Sequence, residues 1–389
     1  MFRISRFGEL LKLVPRGVFE RAVEAHGADR YRKTASCWQQ LVAMMYAQMA
    51  GASSLRVLES GFNAQRSHHY HLGCGAVRRS TLAELNARVS SEVFGAVAEA
   101  LMGQVRGGLR QEGRELLRLL DSSSLTLKGA GFDDWTSSTR TGHTQGLKLH
   151  VLLGLPEQAP LAAALTEANV NDIEYARRLP VEDGVTYVFD KGYCDYGWWW
   201  RLQCEGAHFV TRFKRNARVE VVQSRRIARN AAGLILADET VRLANRYPGG
   251  GRRNPYRSPL RRIVVAREGK TPLVLATNDL KSAALSIAAR YRARWQVELF
   301  FKWIKQHLRI KRFLGRSETA VRTQILTALI TYLLVALYAK THRSAHSLWL
   351  LLSELRATLF QRPEADLDRH RRWRQRTALF ASQQFGLFT

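Results

Sequence analysis

Five short apolar runs between residues 114 and 213 constrain the fold of this chain more than any other feature. Residues 116–120 (LLRLL), 147–155, 161–165, 185–189 (VTYVF) and 208–213 (HFVTRF) have the length and content of buried strands. Residues 172–179 and 196–204 fall between them as short helices. The order is therefore three strands, helix, strand, helix, strand. Two of the runs end on a carboxylate: Asp121 follows the first and Asp190 follows the fourth. A carboxylate at a strand end emerges at the rim of a sheet, where adjacent parallel strands can bring two together. Taken singly, each has the commoner reading of a turn-forming aspartate at a strand terminus.

This order of elements is that of an RNase H-like sheet, so the fold class expected is α/β. The flanks differ. Residues 1 to about 110 read as helices: Leu10, Leu11, Leu13 and Val14, and again Leu41, Met44, Met45 and Met49, keep an amphipathic period. Gly73-Cys74-Gly75 marks a loop, and Ser80 to Glu84 resembles a capping box that opens a helix running through Ala98. Residues 216–280 break the rhythm with a loop at 247–252 and short alternating segments at 219–222, 262–265 and 273–276, which suggest a small β-insertion. Beyond it, residues 284–308 read as one helix, 319–341 as another, and the tail from 346 as helical with a basic end. The expected organisation is an N-terminal helical, DNA-binding domain (1–112), a catalytic core (113–345) with a β-rich insertion (216–280), and a basic helical tail (346–389). The longest apolar run, 325–339, spans 15 residues. That falls short of the roughly 18 needed to cross a bilayer, and it reads as a buried helix.

Charge narrows the partner. Sixty Lys and Arg face 33 Asp and Glu, a net charge of +27. A folded chain tolerates such self-repulsion best beside a polyanion, and nucleic acid is the obvious one. An anionic membrane surface would need an amphipathic or lipidated anchor, and the sequence offers none. Basic clusters at 212–215, 252–253, 261–262, 305–312 and 369–376 are dispersed along the chain, as suits a folded surface with a long DNA track. The four cysteines, Cys37, Cys74, Cys194 and Cys204, form no CxxC pair. This argues against a disulfide framework or structural zinc and for a reducing, cytoplasmic setting beside the nucleoid. The tract His68-His69-Tyr70-His71 lacks a supporting Cys or carboxylate cluster and reads as surface. The first fourteen residues lack the apolar core of a signal peptide.

The helix at 284–308 carries the decisive constellation. Tyr291, Arg294, Glu298 and Lys305 are spaced 3, 4 and 7 apart. At about 100° per residue they fall within a sector of roughly 60°. Val297, Phe300, Ile304 and Leu308 form a separate apolar face. A solvated face with ordinary i,i+4 pairs would give the same spacing. The neighbours Trp295, Phe300, Phe301 and Trp303 suit a packed helix instead. Asp121, Asp190 and Glu298 together supply the hard oxygen ligands that suit two Mg²⁺ ions, with Mn²⁺ as a substitute, about 4 Å apart. Arg and Lys on the same stripe would hold flanking phosphates.

The spacing Y-x2-R-x3-E-x6-K resembles the signature of the DDE transposases of bacterial insertion-sequence family four, at Tyr291, Arg294, Glu298 and Lys305. Asp121-Ser122-Ser123 is similar to that family's D-[ST]-[ST] block and Asp190-Lys191-Gly192-Tyr193 to its D-x-G-Y block. The segments Lys148-Leu149-His150, 168–172 and 209–214 also read like its core, and the N-terminal part like the helical domain that precedes it. The resemblance implies an RNase H-like core with a β-insertion before the glutamate helix. It implies Mg²⁺-dependent cutting at the ends of an element's own terminal inverted repeats, in some relatives through a hairpin, and joining of those ends to target DNA. It also implies that Tyr291 and Arg294 contact phosphates near the cleaved end and Lys305 the strand end. A homodimer is expected because two ends must be handled together. Stacking of an extruded base on Trp295 or Trp198 is physically reasonable, although each reads more readily as core. Lys148, Arg212 and Lys214, with Lys191, are further candidates to line the DNA groove. The rival readings are a nuclease that cleaves without joining and a DNA-binding relic without catalysis.

Overall fold

A computed structural model describes residues 4–30, 32, 34–107, 116–245, 253–308, 310 and 312–362. The basic run at 369–376 and the loop at 247–252 lie outside the described residues. The chain divides into two compact units: Met102–Trp303, and Met1–Leu101 with the residues from Ile304 onward.

The second of these is helical. It begins with α1 (Arg6–Lys12), α2 (Arg16–Ala25), α3 (Cys37–Ala50), α4 (Leu55–Asn63), α5 (Arg66–His69) and α6 (Arg79–Arg88), before α7 (Glu92–Gly107) crosses into the other unit. Serines set several starts: Ser5, Ser36 and Ser54 each accept a backbone N–H three residues on. The expected capping box does not form. α6 starts at Arg79 without a side-chain cap and ends where Val89 turns extended, so the single helix expected through Ala98 is two. The new start of α7 is prepared by Ser90, whose hydroxyl accepts from the Glu92 N–H.

The unit Met102–Trp303 is built on one sheet. Its strands are β1 (Leu117–Thr126), β2 (Gly146–Gly154), β3 (Ala159–Glu167), β4 (Thr186–Phe189), β5 (His208–Arg212), β6 (Val219–Ser224), β7 (Ile235–Leu243), β8 (Leu260–Arg267) and β9 (Lys270–Thr277). They lie in the order β3-β2-β1-β4-β5-β9-β8-β7-β6. β1 and β2, and β2 and β3, run antiparallel, while β1 and β4, and β4 and β5, run parallel. This half is the RNase H-like arrangement. The insertion is an antiparallel meander that continues the same sheet, because β9 pairs with β5. α8 (Asp133–Thr136), α9 (Asp172–Arg178) and α10 (Tyr196–Cys204) follow the strands, and Asp195 caps α10. Leu120, Leu152, Tyr175, Phe189, Trp199 and Phe209 fill the core between the sheet and α9–α10. Each Val, Leu or aromatic side chain buried in this way contributes about 1.5–3 kcal/mol.

Two expectations change. β1 does not stop at Asp121: it runs to Thr126, because β2 keeps pairing with it from Asp121↔Val151 to Thr126↔Gly146. Gly146 permits this closure. Its φ is +138°, and a Cβ there would meet the Leu125 carbonyl oxygen at 2.2 Å. The helix expected at 284–308 is likewise two, α11 (Ala284–Ala293) and α12 (Trp295–His307). Between them Arg294 stays right-handed, but tighter i→i+3 bonds run from Arg294 N to Tyr291 O and from Val297 N to Arg294 O, both 3.1 Å.

α13 (Glu318–Thr341) and α14 (Leu348–Thr358) return to the helical unit. α13 packs chiefly against α3, α6 and α14 rather than serving the core expected at 113–345. Its threonines turn inward: Thr327 and Thr331 donate to the carbonyls four residues before them, at 2.7 and 2.8 Å. By length and composition α13 is apolar enough to cross a bilayer, but 78% of its most apolar window is buried within the protein.

Candidate active site

The parallel pairing of β1 with β4 ends at Leu120↔Phe189. The next residue on each strand is Asp121 and Asp190, so strand register alone sets these two side by side. Glu298 enters from the first turn of α12. Arg294 ties the arrangement together: it donates from Nη1 to Asp121 Oδ2 at 3.2 Å and from Nη2 to Glu298 Oε1. One guanidinium thus joins β1 to α12 across 173 residues of sequence. Arg212, at the end of β5, donates to Asp190 Oδ1 through Nε at 3.1 Å and through Nη2. The Tyr291 hydroxyl donates to the same oxygen at 3.5 Å. Among the described residues no three His, Cys, Asp or Glu side chains converge closely enough to hold a metal ion as they stand. Arg294 lies between two of the carboxylates instead, and Arg212 is bonded to the third.

The two aspartates differ in acidity. Burial pushes Asp121 up to about 6, with the charges of Asp190 and Glu298 adding to it and the Ser122 N–H and Arg294 opposing. Burial acts on Asp190 in the same sense, but the Arg212 hydrogen bond, the Lys191 N–H and the charges of Arg212 and Arg294 hold it below the ordinary value. Burial also raises the Tyr291 hydroxyl.

The remaining candidates fall in different places. Lys305 is in the last turns of α12, beyond the division between the units. Lys148 is turned inward: its Nζ donates to the Val170 carbonyl at 2.8 Å and lies 3.4 Å from Asp172. Trp198 is core, 4.5 Å from Phe189 between ring centroids. Trp295 is 56% exposed. It lines an open cleft of about 340 Å³ with Tyr291, Arg292, Arg294, Arg212 and an apolar floor that includes Leu273 and Leu275. A second cleft of about 460 Å³ adjoins it at Arg212, Arg267 and Leu273. Six cations line it, Lys191, Arg212, Lys214, Arg215, Arg262 and Arg267, and none of its lining residues is acidic. Within it Lys214 donates to the Cys194 carbonyl at 3.4 Å. Arg267 was not singled out from sequence, and Arg262 only as half of the basic cluster 261–262, although alternation along β8 puts it on a definite face. Asp172 was seen only as part of a segment.

The chain matches the Transposase DDE domain over residues 112–334 and, over residues 3–75, a domain of unknown function (DUF4372). It is 43% identical over 265 residues to y4zB of Sinorhizobium fredii (strain NBRC 101917 / NGR234), which is named as a transposase. That match covers 67% of this chain and 72% of that protein. Two further relatives are named as transposases of insertion sequence elements. For IS5377 of Geobacillus stearothermophilus the identity is 27% over 232 residues, 59% of each chain. For IS4SA of Synechocystis sp. (strain ATCC 27184 / PCC 6803 / Kazusa) it is 32% over 165 residues, 40% of this chain and 41% of that one. A cryo-EM structure of the piggyBac transposase synaptic complex with hairpin DNA aligns with a TM-score of 0.47 and 9% identity, over 90% of this chain and 77% of that one. That likeness is too distant to bear on the site. The Transposase DDE domain spans more than half of the residues and contains Asp121, Asp190, Tyr291, Arg294 and Glu298, and the chain belongs to the DDE transposase family.

Proposed function

We propose that this protein cuts DNA at the terminal inverted repeats of its own insertion sequence and joins the freed ends to target DNA. Asp121, Asp190 and Glu298 would carry the chemistry. The observation behind this reading is Arg294, which joins the carboxylate of β1 to that of α12 and so gathers groups far apart in sequence where the β1–β4 pairing ends.

The donor set fits a divalent cation. All three ligands are carboxylates, a hard-oxygen set suited to Mg²⁺ or Mn²⁺ rather than to zinc. The repulsion that Asp190 and Glu298 exert on Asp121 is one that a cation between them relieves. When bound, two such ions supply Lewis acidity to the attacking and leaving oxygens of a phosphodiester. The protein's own groups do the rest. DNA phosphates compete with the carboxylates for Arg294 and Arg212, and each guanidinium offers the planar fork that a phosphate accepts. Arg212, Lys191 and Lys214 then hold the backbone beside Asp190, while the buried Tyr291 hydroxyl steadies that carboxylate. Trp295 offers an exposed aromatic face at the mouth of the adjoining cleft. Handling two ends at once calls for two copies of the chain.

The test is a gel assay with labelled DNA carrying the element's ends, Mg²⁺ and a supercoiled target. Cut and joined products are expected from the native chain, and neither from Glu298→Gln. Cutting without joining would reduce the reading to a nuclease, and unchanged products from Glu298→Gln would remove Glu298 from the site.

A further inference from the structure

Beyond Leu120, β1 loses its parallel partner. β4 ends at Phe189, and among the described strands β2 is the one that pairs with the stretch from Asp121 to Thr126. A catalytic carboxylate on a strand supported from one side needs a second restraint, because a displacement of about 1 Å in such a group costs on the order of 100-fold in rate. Successive residues of a strand face opposite ways. Asp121 meets Arg294, and Ser122 turns to the side covered by α9.

There the Ser122 hydroxyl donates to Asp172 Oδ1 at 3.0 Å. Asp172 opens α9 and faces two residues of β2, of which Lys148 holds it. Lys148 Nζ lies 3.4 Å from the same oxygen while donating to the Val170 carbonyl just before the helix, and His150 Nδ1 lies 3.8 Å away. His150 is fully buried, stacked on Tyr175 with ring centroids 4.9 Å apart, and its Nε2 is within 2.8 Å of the Thr166 hydroxyl. Burial depresses its basicity to a pKa of about 4, so it is neutral near pH 7, and Lys148 supplies the counter-charge to Asp172.

We infer that Asp172 is a positioning residue for the Asp121 carboxylate, acting through the Ser122 hydroxyl and fixed by Lys148. The inference rests on the reading of Asp121 as a catalytic group. It also explains why Lys148, a candidate DNA contact from its place in a core strand, is turned toward α9.

The test compares Ser122→Ala, Ser122→Thr and Asp172→Asn with the native chain. Removing an outer partner of a catalytic ligand lowers activity by about 10–100-fold. Ser122→Ala is therefore expected to slow single-turnover cleavage by that factor, with the DNA dissociation constant within about two-fold. Ser122→Thr restores the hydroxyl and with it most of the rate. Asp172→Asn keeps an acceptor but strands Lys148, and falls between the two. Hydrogen exchange supplies a readout independent of activity: in Ser122→Ala the amides of residues 122–126 exchange faster, while those of 117–120 do not. Native cleavage with an undiminished rate in Ser122→Ala overturns the positioning role, as does unchanged exchange at 122–126 or a Ser122→Thr rate as low as that of Ser122→Ala. A native chain that cleaves no DNA overturns the function itself, and the positioning role falls with it.

Discussion

Asp121 and Asp190 are adjacent across two parallel strands and yet are driven in opposite directions, one above and one below the ordinary carboxylate range. The cause is local. Arg212 hydrogen-bonds Asp190 directly at two nitrogens, whereas Asp121 is more deeply enclosed and has Arg294 at 3.2 Å, shared with Glu298. The consequence for stability has a definite sign. An acid whose folded value lies above its unfolded value takes up its proton more readily in the native state. Its contribution is complete below about pH 4 and is lost as pH rises through about 6. An upward shift of about two units corresponds to about 3 kcal/mol at most. Asp190 has the opposite sign: its contribution is present above the unfolded value and is lost as pH falls. Urea denaturation in EDTA at pH 3, 4.5, 6 and 7.5 checks this. Asp121→Asn is expected to gain stability relative to the native chain as pH climbs from 4.5 to 7.5, whereas Asp190→Asn keeps a constant deficit over that range and recovers only as pH falls toward 3. Parallel trends in the two variants would mean that the arginines do not discriminate between the aspartates. A chain that destabilises itself at Asp121 near neutrality is keeping a charge where a cation or a proton is needed, as functional sites commonly do.

Among the elements, α11 matters most because it carries Tyr291 and delivers Arg294. Its approach is set by Asp279. That carboxylate accepts from the Lys281 and Ser282 backbone N–H groups, each at 2.9 Å, and from Arg290 Nη1 at 2.6 Å. Its side chain is 6% exposed. Burial opposes its ionisation, but these donors outweigh it and hold it well below the usual range. Asp279→Ala removes the carboxylate that Arg290 faces and is expected to cost about 3 kcal/mol, as for other broken buried pairs. DNA cleavage should fall alongside it because the α11–α12 junction loosens. A melt matching the native one together with a full cleavage rate would contradict this. The same elements show what sequence makes legible. Leu117 to Leu120 and Thr186 to Phe189 announced strands because an apolar run has one meaning in a parallel sheet, and the aspartates after them marked its edge. The extension of β1 through Asp121-Ser122-Ser123-Ser124 was not legible, since those residues favour turns and only β2 keeps them extended. The break at Arg294 was equally hidden: Tyr291 to Lys305 fits an unbroken helical stripe, and the tightened turn accompanies a bond to a strand 173 residues away. α13 was legible as buried but not in its allegiance, because a helix apolar around most of its circumference does not name its neighbour.

Across the whole molecule, the net charge of +27 becomes an affinity only where cations stand together. Many of the 60 basic residues are paired. Arg118 meets Glu157, and Arg261 grips Asp238 with two bonds at 2.7 Å, inside the protein. Such pairs add nothing to a DNA track. The cleft beside Asp190 differs, for Lys191, Lys214 and Arg215 are exposed and line it without an acidic neighbour among the lining residues. If DNA phosphates occupy this cleft, their counterions are released on binding, and each neutralised phosphate contributes about 0.9 to the slope of log K against log salt. Replacing Lys191, Lys214 and Arg215 together by Gln should therefore reduce the slope by roughly 3 and weaken binding to specific and unrelated duplexes alike. Substituting three exposed side chains should leave folding within about 0.5 kcal/mol per site. Fluorescence anisotropy over a range of KCl concentrations gives the slope. An unchanged slope would place the DNA elsewhere on the surface. A loss confined to one sequence would mean that the cleft reads bases. A lower slope with sequence preference intact is the outcome expected if the cleft grips the backbone next to the carboxylates and leaves sequence recognition to other parts of the chain.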